Sequence, residues 1–378
     1  MKTVALALQG GGAHGAFVWG VLDRLCQERQ LKIAAISGAS SGAFNAAVYL
    51  YGLASGGAKG AREALEEFWT NVAKQALWSG NPFIGASFFG VFRNIDNHPL
   101  SIWIEQLAPI ISPYNLPFLA NSLEPVARAV MKDPEKLKHP EPAVFFDLVD
   151  VVNGRREIVT QPNITIPSLL ASACLPTSSR AIRIGRGLYW DGGYMGNPAL
   201  APLVRLARDN EGARDILMVT VNPFRRTDLM PPQSASDIQD RLNEIIFNSS
   251  LVLEINGIYT VNNLLRQCAE QPPLRAHDNR PLREILFHRI SDDGYMRMLG
   301  YVSKANPSLL FLRELRDHGR AAAETWLRTS LSHVGRNSSF DVGGLLDEVL
   351  SSQLGSPAAG SGGISLLAPG IAPAEGFG

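Results

Sequence analysis

Residues 1–15 read MKTVALALQGGGAHG: an apolar run, Thr3 to Leu8, that breaks into the turn Gly10-Gly11-Gly12. Such a run bounded by glycines fits a buried β-strand. After Gly15 the pattern becomes helical over about 15–29, with Val18, Val21, Leu22 and Leu25 on one face. Strand, glycine turn and helix form the first unit, and the turn brings unpaired backbone N–H groups to a helix N-terminus. A place of that kind binds anions, because the free N–H groups and the helix dipole both favour negative charge.

The unit repeats at once. Leu31 to Ile36 is a second strand, Ser37 to Gly42 a second small-residue turn, and Ala43 to Leu50 a second helix. Two such units in 50 residues predict a parallel α/β sheet with helices on both faces, a three-layer α/β/α fold. Downstream, Ala61–Ala76 and a segment near 120–132 read as helices. Ala143–Val152 and Glu157–Thr160 flank Asn153-Gly154, a strong hairpin signal that makes the sheet mixed. Ile166–Leu175 is a small-residue helix that Pro176 stops, and Ala181–Ile184 and Leu188–Trp190 are short strands. A helix is expected to begin at Asn197-Pro198, with the asparagine as its cap. Asp215–Val221 is another strand. From about 236 to 350 the chain is mainly helical, with one strand-like run at Ile285–Ile290. The expected organisation is a catalytic α/β domain over 1–230, a helical C-terminal extension over 231–350 packed on it, and a disordered tail over 351–378. That tail holds seven Gly, three Pro and a single charge, Glu375.

Composition narrows the function. Lys plus Arg and Asp plus Glu number 35 each over 378 residues, so no global field attracts nucleic acid or anionic lipid. Cys26, Cys174 and Cys268 lack metal or disulfide spacing and read as buried free thiols. No apolar run of about 18 residues predicts a membrane-spanning helix, and the short N-terminal run reads as a strand rather than a leader. A cytoplasmic protein without metal or cofactor is expected. Residues 77–92, LWSGNPFIGASFFGVF, are apolar and uncharged. They read either as a core-covering loop or as a flap that makes peripheral contact with lipid.

Three motifs carry chemistry. Gly10 to Gly15 satisfies GxGxxG in form, but a dinucleotide site needs an acidic residue at the end of the second strand, and Ile36-Ser37-Gly38 supplies none. That place holds Gly38-Ala39-Ser40-Ser41-Gly42, a GxSxG between strand and helix, the context of a nucleophile elbow. Ser40 occupies its central position and Ser41 does not. The base is open between His277, His288, His318 or His333 in a triad and Asp191, where a strand gives way to Gly192-Gly193.

GGGAHG at 10–15, GASSG at 38–42 and DGG at 191–193 resemble, in order and spacing, the three signature motifs of the patatin-like phospholipases. The likeness extends over roughly residues 3–220 and includes ASACLP at 171–176 and GNP at 196–198. The resemblance implies a lipid acyl hydrolase with a Ser–Asp dyad and no metal. Ser40 would be the nucleophile, Asp191 the general base, and N–H groups around Gly11, Gly12 and Ala13 the oxyanion hole. The family usually carries Arg or Lys where this chain has His14, a weak cation at neutral pH. A non-catalytic lipid-binding or scaffold protein on the same fold is the alternative, and a nucleotide-binding oxidoreductase ranks behind both.

Overall fold

The computed structural model describes residues 1–78, 114, 123–176, 179–209, 214–225, 231–268 and 274–350. Residues 79–92 of the apolar stretch and the tail 351–378 lie outside the described residues.

In chain order the elements are β1 (Lys2–Leu8), α1 (Gly15–Leu25), β2 (Leu31–Gly38) and α2 (Ser41–Trp78, broken at Gly56 and Gly57). Next come α3 (Leu123–Val130), β3 (Ala143–Asp150), β4 (Arg155–Thr160), α4 (Ile166–Ser172), β5 (Ile182–Ile184), β6 (Gly187–Asp191) and α5 (Ala201–Arg208). The chain continues with β7 (Asp215–Val219), α6 (Ala235–Gln267), β8 (Leu286–Ile290), α7 (Leu309–Thr329) and α8 (Val342–Val349). The strands form one sheet in the order β5-β6-β3-β2-β1-β7-β8, with β4 paired to β3 as well. From β3 to β8 the pairs are parallel, while β4 and β6 run antiparallel to β3. This is the expected mixed, mainly parallel sheet, and Gly154 takes the left-handed turn of the β3–β4 hairpin at φ 61°.

Period-two alternation on β1 sorts the two faces. Val4, Leu6 and Leu8 join a core with α1, α2, α3, α4 and α7, whereas Ala5 and Ala7 face α5, α6 and α8. Each fully buried large side chain in the first core, such as Phe17 or Trp19, contributes about 1.5–3 kcal/mol of burial. The expected first helix is shorter than its pattern suggested: α1 ends at Leu25, and beyond Cys26 the Gln27 and Glu28 N–H groups bond back only three residues, to Arg24 and Leu25, as in a turn. The C-terminal segment is part of the layered body. It supplies the edge strand β8, and α7 lies so close on α1 that Gly319 meets the Phe17 carbonyl with no room for a Cβ. Arg320 reaches the buried Asp23 carboxylate at 2.8 Å, and Arg62 reaches the same group at 2.9 Å. Among the described residues no helix is long and apolar enough to cross a membrane. All three cysteines are free; Cys174 is buried, but Cys26 and Cys268 sit half-exposed at helix ends, which corrects the expectation for those two.

Candidate active site

The carboxyl ends of β1, β2 and β6 come to the same end of the sheet, and the three glycine motifs converge there. Gly38 closes β2 and Gly42 lies in the first turn of α2. Between them Ser40 holds φ 52°, a left-handed conformation that a side chain-bearing residue adopts only where its surroundings enforce it. The enforcement is visible: Gly42 N–H donates to the Ala39 carbonyl at 2.7 Å, Ala43 N–H to the Ser40 carbonyl at 3.0 Å, and the Ser40 N–H to Ser172 Oγ at 3.3 Å. Ser40 is therefore half-exposed at the start of a helix.

Asp191 ends β6 with no exposed surface. Its Oδ1 accepts the Gly193 N–H at 2.7 Å, while Oδ2 has no hydrogen-bond partner of its own. Burial pushes this carboxyl up to about 7, opposed by the Gly193 N–H and by the neighbouring Ser40 hydroxyl. The Ser40 hydroxyl is thus a neighbour of the Asp191 carboxyl. None of the four histidines takes the place of Asp191. His288 bonds Asp215 and Ser339, His318 bonds Asp292, His333 bonds Asn337, and His277 lies in an exposed segment.

The glycine loop packs directly on the elbow: a Cβ at Gly10 would collide with the Ala39 carbonyl oxygen. Gly10 is held from both sides, its N–H donating to Asn197 Oδ1 at 2.7 Å and its carbonyl accepting from Asn222 Nδ2 at 3.3 Å. Gln9 Oε1 in turn accepts the Val221 and Asn222 N–H groups at 2.9 and 2.8 Å. The Gly11 N–H donates to Ser41 Oγ at 3.1 Å, and Gly15 opens α1 packed against the same hydroxyl. Gly12 takes φ 57°, and among the described residues the N–H groups of Gly12 and Ala13 have no partner. The loop therefore offers two free donors and a third shared with Ser41.

Asn197 corrects an expectation. It is buried and spent on Gly10, while α5 begins only at Ala201, with Leu200 before it and Pro202 in its first turn. The stretch 191–201 is instead anchored by carboxylates the motifs did not mark. Asp147, from the middle of β3, accepts the Ala199 N–H at 3.2 Å, and Glu254 on α6 accepts the Leu200 and Ala201 N–H groups at 2.6 and 3.1 Å. Arg156 pairs with Glu254 at 2.5 Å. Burial pushes the Asp147 carboxyl up to about 7 against the Arg156 charge and the Ala199 N–H. An acid inside the apolar run VFFDLV (144–149) was the available signal, because a charged residue at a core position of a strand is rarely without a task. No group of three His, Cys, Asp or Glu side chains among the described residues is placed to hold a metal ion.

The sequence profile of a family described as patatin-like phospholipase matches residues 6–204, from β1 to within α5. Among solved structures, that of VipD from Legionella pneumophila is similar at 14% identity and a TM-score of 0.33, covering 93% of this chain and 80% of that one. No curated protein matches the chain.

Proposed function

We propose, from the premise that this chain belongs to the patatin-like phospholipase family, that it hydrolyses acyl esters of lipids through a serine–aspartate dyad. The observation that carries this reading is the elbow. Ser40 is held left-handed at a helix start, beside a fully buried carboxylate whose second oxygen is unpaired.

The chemistry follows from those positions. Ser40 Oγ attacks the ester carbonyl carbon as its proton passes to Asp191 Oδ2, forming a tetrahedral intermediate. The carbonyl oxygen becomes an oxyanion facing the Gly12 and Ala13 N–H groups, joined by Gly11 N–H when it leaves Ser41; one such donor is worth about 3–4 kcal/mol. Collapse expels the alcohol, which takes the proton from Asp191, and leaves an acyl-serine. Asp191 then accepts a proton from water as that water attacks the acyl-serine, and returns it to Ser40 Oγ as the acyl C–O bond breaks and the carboxylic acid leaves. A free carboxylate is a weak base, and its upward shift to about 7 brings Asp191 close to imidazole in strength. Tyr194 and Met195, exposed just beyond Gly193, border the mouth with apolar surface suited to an acyl chain. Peripheral contact with lipid through residues 77–92 belongs to the same reading.

The test joins fluorophosphonate labelling to fatty-acid release from a panel of phospholipids and acylglycerols. Wild-type protein should label and turn over, Ser40→Ala should do neither, and Asp191→Asn should lose turnover. Full activity in either variant would overturn the dyad, and tight liposome binding without acid release would favour the scaffold alternative.

A further inference from the structure

The family-matched region ends at residue 204, yet the back of the oxyanion loop is walled by residues 300–304. The turn Val302–Ala305 packs on the turn Gly12–His14. His14 Nε2 lies 2.8 Å from Ser303 Oγ, and the Ser303 hydroxyl donates to the Gly300 carbonyl at 2.6 Å. Oγ has spent its proton there, so His14 donates through Nε2–H and its Nδ1 lone pair faces the interior without a partner. Burial, and then the charge of Lys304, hold His14 well below its ordinary pKa, so the imidazole is neutral. The positive charge beside the loop comes from Lys304. Its Nζ donates to Asn222 Oδ1 at 2.7 Å and to Asn243 Oδ1, and Asn222 grips the Gly10 carbonyl. Its own carbonyl lies where a Cβ on Gly12 would be. The cavity that His14, Asn222 and Lys304 line holds about 20 Å³, room for one water and not for a substrate.

We infer that Gly300–Lys304 is a positioning element of the oxyanion loop, in which Lys304 is the coupling residue: its side chain fixes Gly10 through Asn222, while its carbonyl and Ser303 fix Gly12 and His14. The inference rests on the serine–aspartate reading above. The ammonium also places a positive charge behind donors that face a developing oxyanion, a preorganised arrangement that favours the transition state over bound substrate. Residues 1–350 then act as one catalytic unit, with the C-terminal segment as part of the machinery.

The groups facing Lys304 are neutral His14 from the loop, Asn222 after β7, Tyr301 on its own turn, and Asn243, Asp240 and Glu244 on α6, with the Phe247 ring 5.8 Å away. Burial lowers the Lys304 ammonium to about 8, with the two acids opposing. Turnover of wild type should therefore fall on the alkaline side with a midpoint near 8.

The experiment measures kcat and KM of the full chain on a soluble acyl ester from pH 6 to 9.5, with circular dichroism and melting curves as fold controls. Lys304→Met should lower kcat about 10–100-fold with KM within about twofold, since a displaced donor acts on the transition state. It should also abolish the alkaline limb. Lys304→Arg should recover most of kcat and lack the limb, because guanidinium stays charged; it also serves if the Met variant fails to fold. Unchanged kcat in Lys304→Met, or an alkaline limb that persists in either variant, overturns the inference. Ser40→Ala separates the failures. Hydrolysis independent of Ser40 sinks the dyad, whereas Ser40-dependent hydrolysis indifferent to Lys304 sinks only this role.

Discussion

Two places in this molecule set a serine against a carboxylate, at opposite ends of the same parallel strands. At the carboxyl ends, Ser40 stands by Asp191. At the amino end of β7, Asp215 bonds His288 Nε2 at 2.9 Å and His288 Nδ1 meets Ser339 Oγ at 2.8 Å, which has the residue types of a full Ser–His–Asp triad. On the proposed reading the richer set is the less reactive one. His288 is wholly buried under the Trp326 ring, Asp215 also accepts the Gly335 N–H at 2.7 Å, and the N–H groups of Ser339 and Phe340 both go to the Phe287 carbonyl. Neither of these two N–H groups is left for an oxyanion. At Ser40 a strained backbone, a helix start and two free N–H groups surround a simpler pair. On that reading nucleophilic chemistry follows the backbone setting more than the side-chain inventory.

The largest effect that would break this contrast is an exchange of roles between the two serines. Ser40→Ala should cut turnover by at least about 10⁴-fold, the scale on which a lone nucleophile is lost. Ser339→Ala should keep kcat within about twofold. Side-by-side hydrolysis assays and probe labelling check both, and labelling that moves with Ser339 would reverse the comparison.

Asp191→Asn sharpens it next. Turnover should drop about 10³-fold or more, and wild-type activity should rise with pH around a midpoint near 7 as the carboxyl ionises. Stability moves the other way. A carboxyl raised from 3.8 to about 7 binds its proton more tightly folded than unfolded, so the wild type loses stability as pH climbs through that window. Asparagine removes the loss. Measured by urea denaturation, the variant should gain on wild type by roughly 3 kcal/mol between pH 5 and pH 8. A constant difference across that range would show that Asp191 carries no raised pKa.

The contrast also separates what a sequence displays from what it hides. The strands at Lys2–Leu8 and Leu31–Gly38, the Asn153-Gly154 hairpin and the GASSG elbow are local, and each writes its period or turn chemistry into adjacent residues. Asn197 misled because an asparagine before proline satisfies the local rule for a helix start, while its actual partner, Gly10, lies 187 residues away. Ser303 and Lys304 left no signal, since His14 meets Ser303 across 289 residues and no periodicity links them. His288 was legible as a strand residue, and only the fold reveals that its partners are Asp215 and Ser339 rather than Ser40.

The smallest effect concerns that second constellation, and it is structural. His288 ties β8 to the start of β7 and to the segment Gly335–Phe340, which returns across the sheet edge. His288→Ala leaves the buried Asp215 carboxylate with the Gly335 N–H, strips Ser339 of its partner and opens a cavity under Trp326. Unsatisfied buried groups and a lost ring together cost about 1–3 kcal/mol, read as a lower urea midpoint with unchanged slope. The kcat of the folded fraction should stay within about twofold of wild type, because the carboxyl ends of β1, β2 and β6 are untouched. Loss of kcat at full stability would mean that the two ends of the sheet are coupled. A fall in stability with kcat intact would fix the second set of residues as a clamp.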